Sequence, residues 1–319
     1  MRVLVTGGAG YIGSTTAAAL LEAGHDVVVL DDLRSGAPEA VPAGAELVEG
    51  AVEDRDLVAR LLTGGVRACV HFAASIEAGE SMRRPEAFFA NNTAATLRLL
   101  ETLVTGGVDR FVLSSTAAVY GDPVRTPIQE DDPTVPTNAY GESKLLVERA
   151  LAWLGRLRGL RWAALRYFNA AGASALRGER HDPETHLIPL VLQVAAGRRH
   201  DIAVFGTDYA TPDGTCVRDY VHVGDLAAAH VLALAALDTH DRLVCNLGNG
   251  AGFSVREVLD SARRVTGHPI PAREEARRPG DPAVLVASSE RARALLGWTP
   301  RHPDLDDIVA SAWRWHART

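Results

Sequence analysis

The stretch VLVTGGAGYIG, residues 3–13, decides the fold that this chain can adopt. A short apolar run enters a glycine-rich turn, and a helical pattern follows over residues 12–22. Gly8, Gly10 and Gly13 match the spacing G-x-G-x-x-G, in which glycines allow a tight turn and let the backbone approach a pyrophosphate. Alone, the pattern also fits a strand–helix turn that binds nothing.

Two acidic residues strengthen the ligand-binding interpretation. Asp31 and Asp32 end the second predicted strand, with Asp31 eighteen residues after Gly13. A carboxylate at that place can hold the ribose hydroxyls on the adenine side of a dinucleotide. It also repels a 2′-phosphate, so the pattern favours NAD over NADP, although Arg34 is near enough to accept such a phosphate.

The first half of the chain alternates short β-branched runs with longer helical patterns. The predicted strands are residues 3–5, 27–30, 46–48, 68–71, 111–114 and 163–165, and the predicted helices are residues 12–22, 57–62, 85–103 and 140–154. This repetition predicts an α/β fold of the Rossmann type, a doubly wound parallel sheet with helices on both faces.

After Asn169 the alternation fails. Residues 172–183 form a predicted loop, followed by a helix near residues 187–196, a strand at 202–205 and a turn-rich stretch at 206–214. Apolar strand and helix patterns return over residues 221–237, and Ala310, Trp313 and Trp315 mark the apolar edge of a closing helix.

Composition excludes several classes of protein. With 319 residues, 47% hydrophobic and 23% charged, the chain is an ordinary globular protein. A net charge of −7 argues against nonspecific nucleic-acid binding, which needs a basic face. No signal peptide or membrane-spanning stretch is predicted, so we expect a cytoplasmic protein without membrane contacts. Cys69, Cys216 and Cys245 are too few and too scattered for a disulfide framework, and no metal site is predicted.

The chain contains 32 arginines and a single lysine, Lys144. A lysine retained against such a bias toward arginine indicates a role that the wide guanidinium cannot fill. Tyr140 precedes it by four residues on a predicted helix, so both side chains share one face about 6 Å apart. An ammonium beside a phenol lowers the tyrosine pKa and makes a general base, although a solvated helix face can produce the same spacing.

A third polar group follows the fifth predicted strand, in the run Ser114-Ser115-Thr116. The carboxyl ends of parallel strands face the ligand crevice. The Thr116 hydroxyl could therefore bond a substrate oxygen and relay a proton to Tyr140, or it could only cap the end of the strand.

Several segments resemble the UDP-galactose (UDP-glucose) 4-epimerases, a family of the extended short-chain dehydrogenase/reductase superfamily. They are residues 71–74 (HFAA), 79–81 (GES), 166–169 (RYFN), 205–209 (FGTDY), 213–222 (DGTCVRDYVH) and 246–248 (NLG). The resemblance covers nearly the whole chain. It implies an NAD-binding Rossmann domain over residues 1–169, to which 219–248 return. It also implies a smaller mixed α/β substrate domain over 170–218 and 249–319, bound NAD and a homodimer.

The resemblance also implies site residues. Thr116, Tyr140 and Lys144 match the catalytic set, with threonine where the family usually has serine. The implied cofactor-binding residues are Gly7, Gly10, Tyr11, Ile12, Gly13, Asp31, Asp32, Val52, Phe72, Ala73, Ala74, Asn92, Ser114, Tyr140, Lys144 and Tyr167. The implied substrate-binding residues are Thr116, Tyr140, Phe168, Asn169, His186, Leu187, Ala203, Val204, Phe205, Arg218, Arg278, Asp281 and Leu285. Among them the arginines would grip the diphosphate bidentately.

The activity implied is reversible C4 epimerisation of UDP-galactose and UDP-glucose through a 4-keto sugar, with transient hydride transfer to NAD. A 4-epimerase of UDP-glucuronate or of an N-acetylated hexose stays open as an alternative. A nucleotide-sugar 4,6-dehydratase is less favoured, because Ala117 and Ala118 follow Thr116 where that chemistry needs an acid and a base. A non-catalytic NAD sensor would have lost the tyrosine or the lysine.

Departures from the family pattern predict weak retention of NAD. Ala51 replaces an aspartate and Ile76 a lysine, and each lost contact is worth about 0.5–3 kcal/mol. We expect purified protein to be partly free of NAD and to gain activity when NAD is added, as measured by cofactor content and rate. Full occupancy after extensive dialysis, with no response to added NAD, would contradict this prediction.

Overall fold

The computed structural model describes residues 1–278 and 281–318. The strands are β1 (Arg2–Thr6), β2 (Asp26–Asp31), β3 (Glu46–Glu49), β4 (Val66–His71), β5 (Arg110–Ser114), β6 (Arg161–Tyr167), β7 (Asn169–Ala171), β8 (Ile202–Phe205), β9 (Val217–Arg218), β10 (Tyr220–His222), β11 (Arg242–Leu247), β12 (Phe253–Ser254), β13 (Ala272–Glu275) and β14 (Val284–Leu285). The α-helices are α1 (Tyr11–Glu22), α2 (Arg55–Thr63), α3 (Ala78–Ser81), α4 (Pro85–Phe88), α5 (Ala95–Thr105), α6 (Ala139–Arg158), α7 (Leu187–Ala195), α8 (Val223–Ala236), α9 (Val255–Thr266), α10 (Glu290–Leu296) and α11 (Leu305–His316).

A parallel sheet of seven strands organises the first unit. Its strand order is β11-β6-β5-β4-β1-β2-β3, and every pairing is parallel. Each strand predicted in the first half lies inside an observed strand that extends it by one or two residues at an end. The predicted doubly wound parallel fold is therefore confirmed.

Alternate side chains of β1, an interior strand of the sheet, fill two cores, one on each face of the sheet. Val3 and Val5 pack with α1 and α8, whereas Leu4 packs with α2, α5 and α6. Because both faces are covered, these strands are apolar along their whole length and not alternating in polarity.

The helical pattern over residues 85–103 is not one α-helix. It divides into α4, a π-helical segment at Phe89–Ala94, and α5. Within the π segment Asn92 is buried, and its amide bonds both the N–H and the C=O of Ser75. A π segment places a side chain off the α-helical register, and such segments frequently occur at functional sites.

A second core lies outside the large sheet. Helices α7, α9 and α11 bury Val191, Leu192, Val258 and Ile308 against one another. A capping box fixes the start of α9, because the Ser254 hydroxyl and the Glu257 side chain bond each other's backbone N–H groups. By contrast, α10 and Trp298 pack into a core of the first unit. No described helix is long and apolar enough to cross a membrane.

A buried ion pair joins α6 to β6. The guanidinium of Arg166 donates to both carboxylate oxygens of Glu148, at 3.0 and 2.5 Å. Ser115 donates to the same carboxylate at 2.5 Å, and Arg166 also donates to the Tyr120 hydroxyl at 2.9 Å. Both charged side chains are nearly inaccessible to solvent, so removing either one leaves the other buried and unpaired.

We expect Arg166→Met to lower the free energy of unfolding by about 3–5 kcal/mol, because the Glu148 carboxylate loses its partner. The matched control is Arg149→Met, whose pair with Glu142 spans 3.6 Å at the surface and is worth about 1 kcal/mol or less. Urea unfolding followed by tryptophan fluorescence measures both variants. Equal losses in the two would contradict the prediction.

Candidate active site

A cleft of about 550 Å³ opens at the carboxyl ends of the parallel strands. Most of the residues expected to bind cofactor or substrate line it: Gly7, Gly10, Tyr11, Ile12, Gly13, Asp31, Asp32, Val52, Phe72, Ala73, Ala74, Ser114, Thr116, Tyr140, Lys144, Tyr167, Phe168, Asn169 and His186. Parallel sheets place their ligands at this edge, so the topology explains why such distant segments meet.

The glycine-rich turn has the shape that a dinucleotide needs. A Cβ atom at Gly13 would lie 2.1 Å from the carbonyl oxygen of Gly7, and Gly7 itself has a φ of +70°. A Cβ atom at Gly10 would have more room, with its nearest neighbour, the carbonyl oxygen of Gly7, 3.3 Å away. Without a side chain at Gly10, the backbone of the turn stays accessible to a ligand. The close approach of helix to strand and the flat turn fit a bound pyrophosphate.

The two aspartates already have partners inside the protein. Asp31 is buried and accepts the N–H groups of Ala9 and Leu33, each at 2.9 Å. Asp32 is bonded at 2.6 Å by Arg34, which also donates to the side chain of Asn91 at 3.0 Å. Asp31 therefore holds the glycine-rich turn in place, and Arg34 is engaged by a carboxylate, which supports NAD over NADP.

Tyr140 and Lys144 face the cleft from the first turns of α6. Asn138 caps this helix by accepting the N–H of Gly141 at 2.8 Å. The ammonium of Lys144 is buried and donates to the carbonyl oxygen of Ser114 at 3.0 Å. Burial lowers the pKa of Lys144 from 10.5 to about 8.

The electrostatics of Tyr140 differ from the expectation. Burial raises the pKa of the Tyr140 phenol above its ordinary value, a hydrogen bond with Thr116 acts in the opposite direction, and Glu77 adds to the increase. The expectation that Lys144 lowers this pKa does not hold for the protein alone. The reason is that the phenol is desolvated while the ammonium is bound to the Ser114 carbonyl.

Thr116 caps the turn that follows β5, and its bond to a substrate oxygen stays a prediction. Its Oγ1 accepts the N–H of Ala118 at 3.1 Å, which caps a short 3₁₀ turn at Ala117–Tyr120. The hydroxyl proton is still available to bond Tyr140. The neighbouring Ser114 hydroxyl is hydrogen-bonded to the hydroxyl of Tyr167.

A second group of expected site residues lies outside the seven-stranded sheet, on and near the strands β8, β9 and β14. Arg218 pairs with Asp281 at 2.5 Å, and Leu285 stands opposite Arg218 in the pairing of β14 with β9. The Arg278 guanidinium lies 4.0 Å above the centre of the Phe205 ring. Leu285 and Phe168 both pack against one apolar cluster of Val119, Tyr120, Ile128 and Leu145, and Phe168 also lines the cleft.

Some expected residues do not reach the cleft surface. Asn92 lies beneath Ser75 and supports it. The side chain of Val204 is in the second core, whereas Ala203 and Phe205 alternate to the other side of β8. Leu187 is the first residue of α7, directly after His186, and its side chain packs against the second core.

The cleft also contains polar residues that the sequence patterns did not identify. Glu77, Glu179 and His181 line it, together with Ser75 and Asn91. Glu179 and His181 fall in the segment predicted as a loop. The sequence could have indicated them, because Glu179, His181 and His186 lie within eight residues, and histidines and carboxylates that close together can share a site.

Comparison with known proteins agrees with this geometry. The sequence model of the NAD dependent epimerase/dehydratase family matches residues 3–248. The chain belongs to this family. The expected dependence on NAD and the resemblance to the epimerases are therefore confirmed.

Individual relatives match over the full length. The UDP-glucose 4-epimerase of Streptomyces lividans is 53% identical over 320 residues, 99% of this chain and 96% of that protein. The one from Corynebacterium glutamicum is 52% identical over 314 residues, 98% of this chain and 95% of that protein. The solved structure of the Bifidobacterium longum UDP-glucose 4-epimerase, in complex with NAD⁺ and UDP, superposes with a TM-score of 0.95 at 38% identity, covering 100% of this chain and 99% of the other.

The lowered pKa of Lys144 predicts a pH dependence of stability. Because the folded protein releases this proton near pH 8 and the unfolded chain near 10.5, the unfolded chain binds more protons between those values. The stability of the wild type should therefore rise relative to Lys144→Met from about pH 7 to about pH 10, by on the order of 3 kcal/mol. Chemical unfolding of NAD-free protein across this range measures the difference, and a constant difference would contradict it.

Proposed function

We propose that the chain catalyses the reversible C4 epimerisation of UDP-galactose and UDP-glucose with NAD as cofactor. The observation that carries this proposal is the meeting of Thr116, Tyr140 and Lys144 in the cleft that also contains the glycine-rich turn. Full-length relatives that are UDP-glucose 4-epimerases support the same activity.

Tyr140 is the general base and acid of this mechanism. Its phenolate takes the proton of the sugar 4-hydroxyl, directly or through the Thr116 hydroxyl. NAD, which the glycine-rich turn and Lys144 would hold, would supply the acceptor and donor of the C4 hydride, and its oxidised ring would add positive charge to the cleft that Tyr140 lines. The planar 4-keto sugar turns about its link to the diphosphate, and Tyr140 returns the proton after the hydride reaches the opposite face.

Lys144 has two functions in this scheme. Its ammonium is fixed beside the end of β5 by the Ser114 carbonyl, where it can bond the ribose on the nicotinamide side. It also supplies a compact positive charge on the helix face that carries Tyr140. Since burial and Glu77 both raise the pKa of Tyr140, positive charge in the loaded cleft would favour the phenolate.

The smaller unit would anchor the UDP while the sugar turns. Arg218 and Arg278 are the diphosphate ligands, Phe205 and Ala203 border the uracil, and Asp281 takes the ribose. Asn169 and His186 lie on the cleft side of this anchor. The boundaries given from the sequence remain our proposal for the NAD-binding and substrate domains, with residues 290–298 packing on the former.

Charge in the cleft disfavours the alternative of a UDP-uronate substrate. Glu77 and Glu179 both line the cleft, and a second carboxylate on the sugar would meet like charge. The dehydratase alternative is weakened by the 3₁₀ turn after Thr116, because its first residues Ala117 and Ala118 have no proton to exchange.

We also propose a homodimer in the cytoplasm. Leu97 on α5 and Trp153 and Leu157 on α6 are 42%, 56% and 70% exposed, and these two helices contact each other. An apolar face on adjacent helices fits a second copy of the chain. The cysteines at 69, 216 and 245 are buried and free, which is typical of a reducing compartment.

The test is turnover of UDP-galactose to UDP-glucose with NAD added. Tyr140→Phe should retain the fold and NAD binding but lose about 10²–10⁴-fold in turnover, the usual contribution of a positioned acid–base group. Lys144→Arg should also be strongly impaired, because the planar fork cannot occupy the site of the ammonium. A Lys144→Arg enzyme with wild-type rates, or a 4-keto-6-deoxy product, would refute the proposal.

We expect substrate breadth to depend on Leu285, which packs against the same apolar cluster as Phe168, a residue of the cleft wall. An N-acetyl group pressed against leucine buries polar atoms without partners, at a cost of about 1–3 kcal/mol. We therefore expect UDP-N-acetylgalactosamine to be a slow substrate at best, and Leu285→Ser to improve its kcat/KM relative to UDP-galactose. Equal efficiency on both sugars in the wild type, or no gain in the variant, would show that Leu285 does not set pocket size.

A further inference from the structure

Three side chains that the proposed mechanism does not need as a group meet on one wall of the cleft. Glu179, His181 and His186 each bring one donor atom to a cluster in which all donors lie within 4.8 Å of one another. All three residues line the cleft, and they belong to the segment that leads into α7.

The donor set selects a class of ion. Two imidazoles and one carboxylate suit Zn²⁺ and neighbouring divalent transition metals, whereas Mg²⁺ and Ca²⁺ prefer oxygen alone. Metal–ligand bonds of about 2.1 Å in a tetrahedron place the ligands about 3.4 Å apart. Donor atoms at the 4.8 Å limit would therefore need to approach each other by about 1.4 Å, which is within the reach of side-chain rotation.

A carboxylate outside the cluster orients one of the ligands. Glu184 Oε1 lies 2.8 Å from His186 Nδ1 and accepts the backbone N–H groups of Thr185 and His186, each at 2.7 Å. With Nδ1 donating to Glu184, the lone pair of His186 is on Nε2. Metal-binding histidines usually have this second partner, which fixes the tautomer and makes the imidazole a better ligand.

The negative charge of two carboxylates near the cluster, Glu179 and Glu184, also favours a cation there. The side chains of Glu179 and Glu184 are only 9% and 6% exposed. Over residues 1–278 and 281–318, neither carboxylate has an ion pair with an arginine, and the histidines are their only side-chain partners of opposite charge. The single lysine bonds Ser114 instead. A divalent ion bound between the two histidines would supply permanent positive charge beside these buried carboxylates.

The geometry assigns to Glu179, His181 and His186 a binding site for a divalent transition-metal ion such as Zn²⁺, with Glu184 as the outer carboxylate. Three protein ligands leave the remaining position open toward the cleft. The site goes beyond the proposed epimerase activity, which needs no metal from the protein.

The test uses the full chain with NAD added, stripped with a chelator and titrated with zinc chloride in a calorimeter. We expect one equivalent of Zn²⁺ per chain, and at least tenfold weaker binding in the Glu179→Gln/His181→Gln variant. The matched control, His268→Gln/Glu290→Gln, removes one imidazole and one carboxylate from exposed positions and should bind as the wild type does.

A second measurement keeps the proposal testable if the double variant fails to fold. Co²⁺ added to the unaltered protein should give intense visible absorption bands typical of four-coordinate cobalt with nitrogen ligands, and His181→Gln alone should reduce them. Weak bands of six-coordinate cobalt, or equal Zn²⁺ affinity in the cluster variant and its control, would overturn the assignment.

Discussion

The close contact between Gly7 and Gly13 is the constraint on which the rest of the structure depends. A side chain at Gly13 would collide with the Gly7 carbonyl, and one at Gly7 would come within 2.5 Å of the backbone at Ala73. Without side chains, α1 packs tightly on β1, and the turn stays flat at the edge where β1, β2 and β4 end. Asp31 then closes the arrangement by accepting the N–H of Ala9, so the residue expected to bind ribose also shapes the turn.

Sequence patterns predicted the strands and helices whose formation depends on neighbouring residues in the chain. The strands of the large sheet are continuous apolar runs whose burial on both faces leaves one reasonable structure, and α6 starts at a residue whose side chain caps it. The break in the helix at Phe89–Ala94 was not predictable from periodicity. It depends on Asn92 bonding Ser75 and Ser143, and those partners are 17 and 51 residues away in the chain.

In the site, too, the sequence predicted the positions of the residues but not their electrostatics. Helical spacing was enough to place Tyr140 and Lys144 together in the cleft, but it did not give the sign of the pKa shift. Desolvation depends on every group packed around the phenol, and here it outweighs the hydrogen bond from Thr116. Without a ligand, Tyr140 is therefore a neutral phenol near pH 7. Under the proposed function, its conversion to a base would use the positive charge that NAD brings to the cleft, and this would couple proton abstraction to cofactor occupancy.

Under the proposed function, ion pairing adds a similar coupling at the place where UDP would bind. Arg218 is held by Asp281, whereas the cation of Arg278 lies over the Phe205 ring and, within residues 1–278 and 281–318, has no carboxylate partner. If these arginines bind the diphosphate as proposed, it could meet Arg278 without breaking an ion pair between described residues, but it would have to displace Asp281 from Arg218. If the ribose hydroxyls engage Asp281, that displacement costs less, because the carboxylate exchanges one partner for another. Under the proposed function, ribose and diphosphate would therefore assist each other only as parts of one ligand, which would favour an intact nucleoside diphosphate over either fragment.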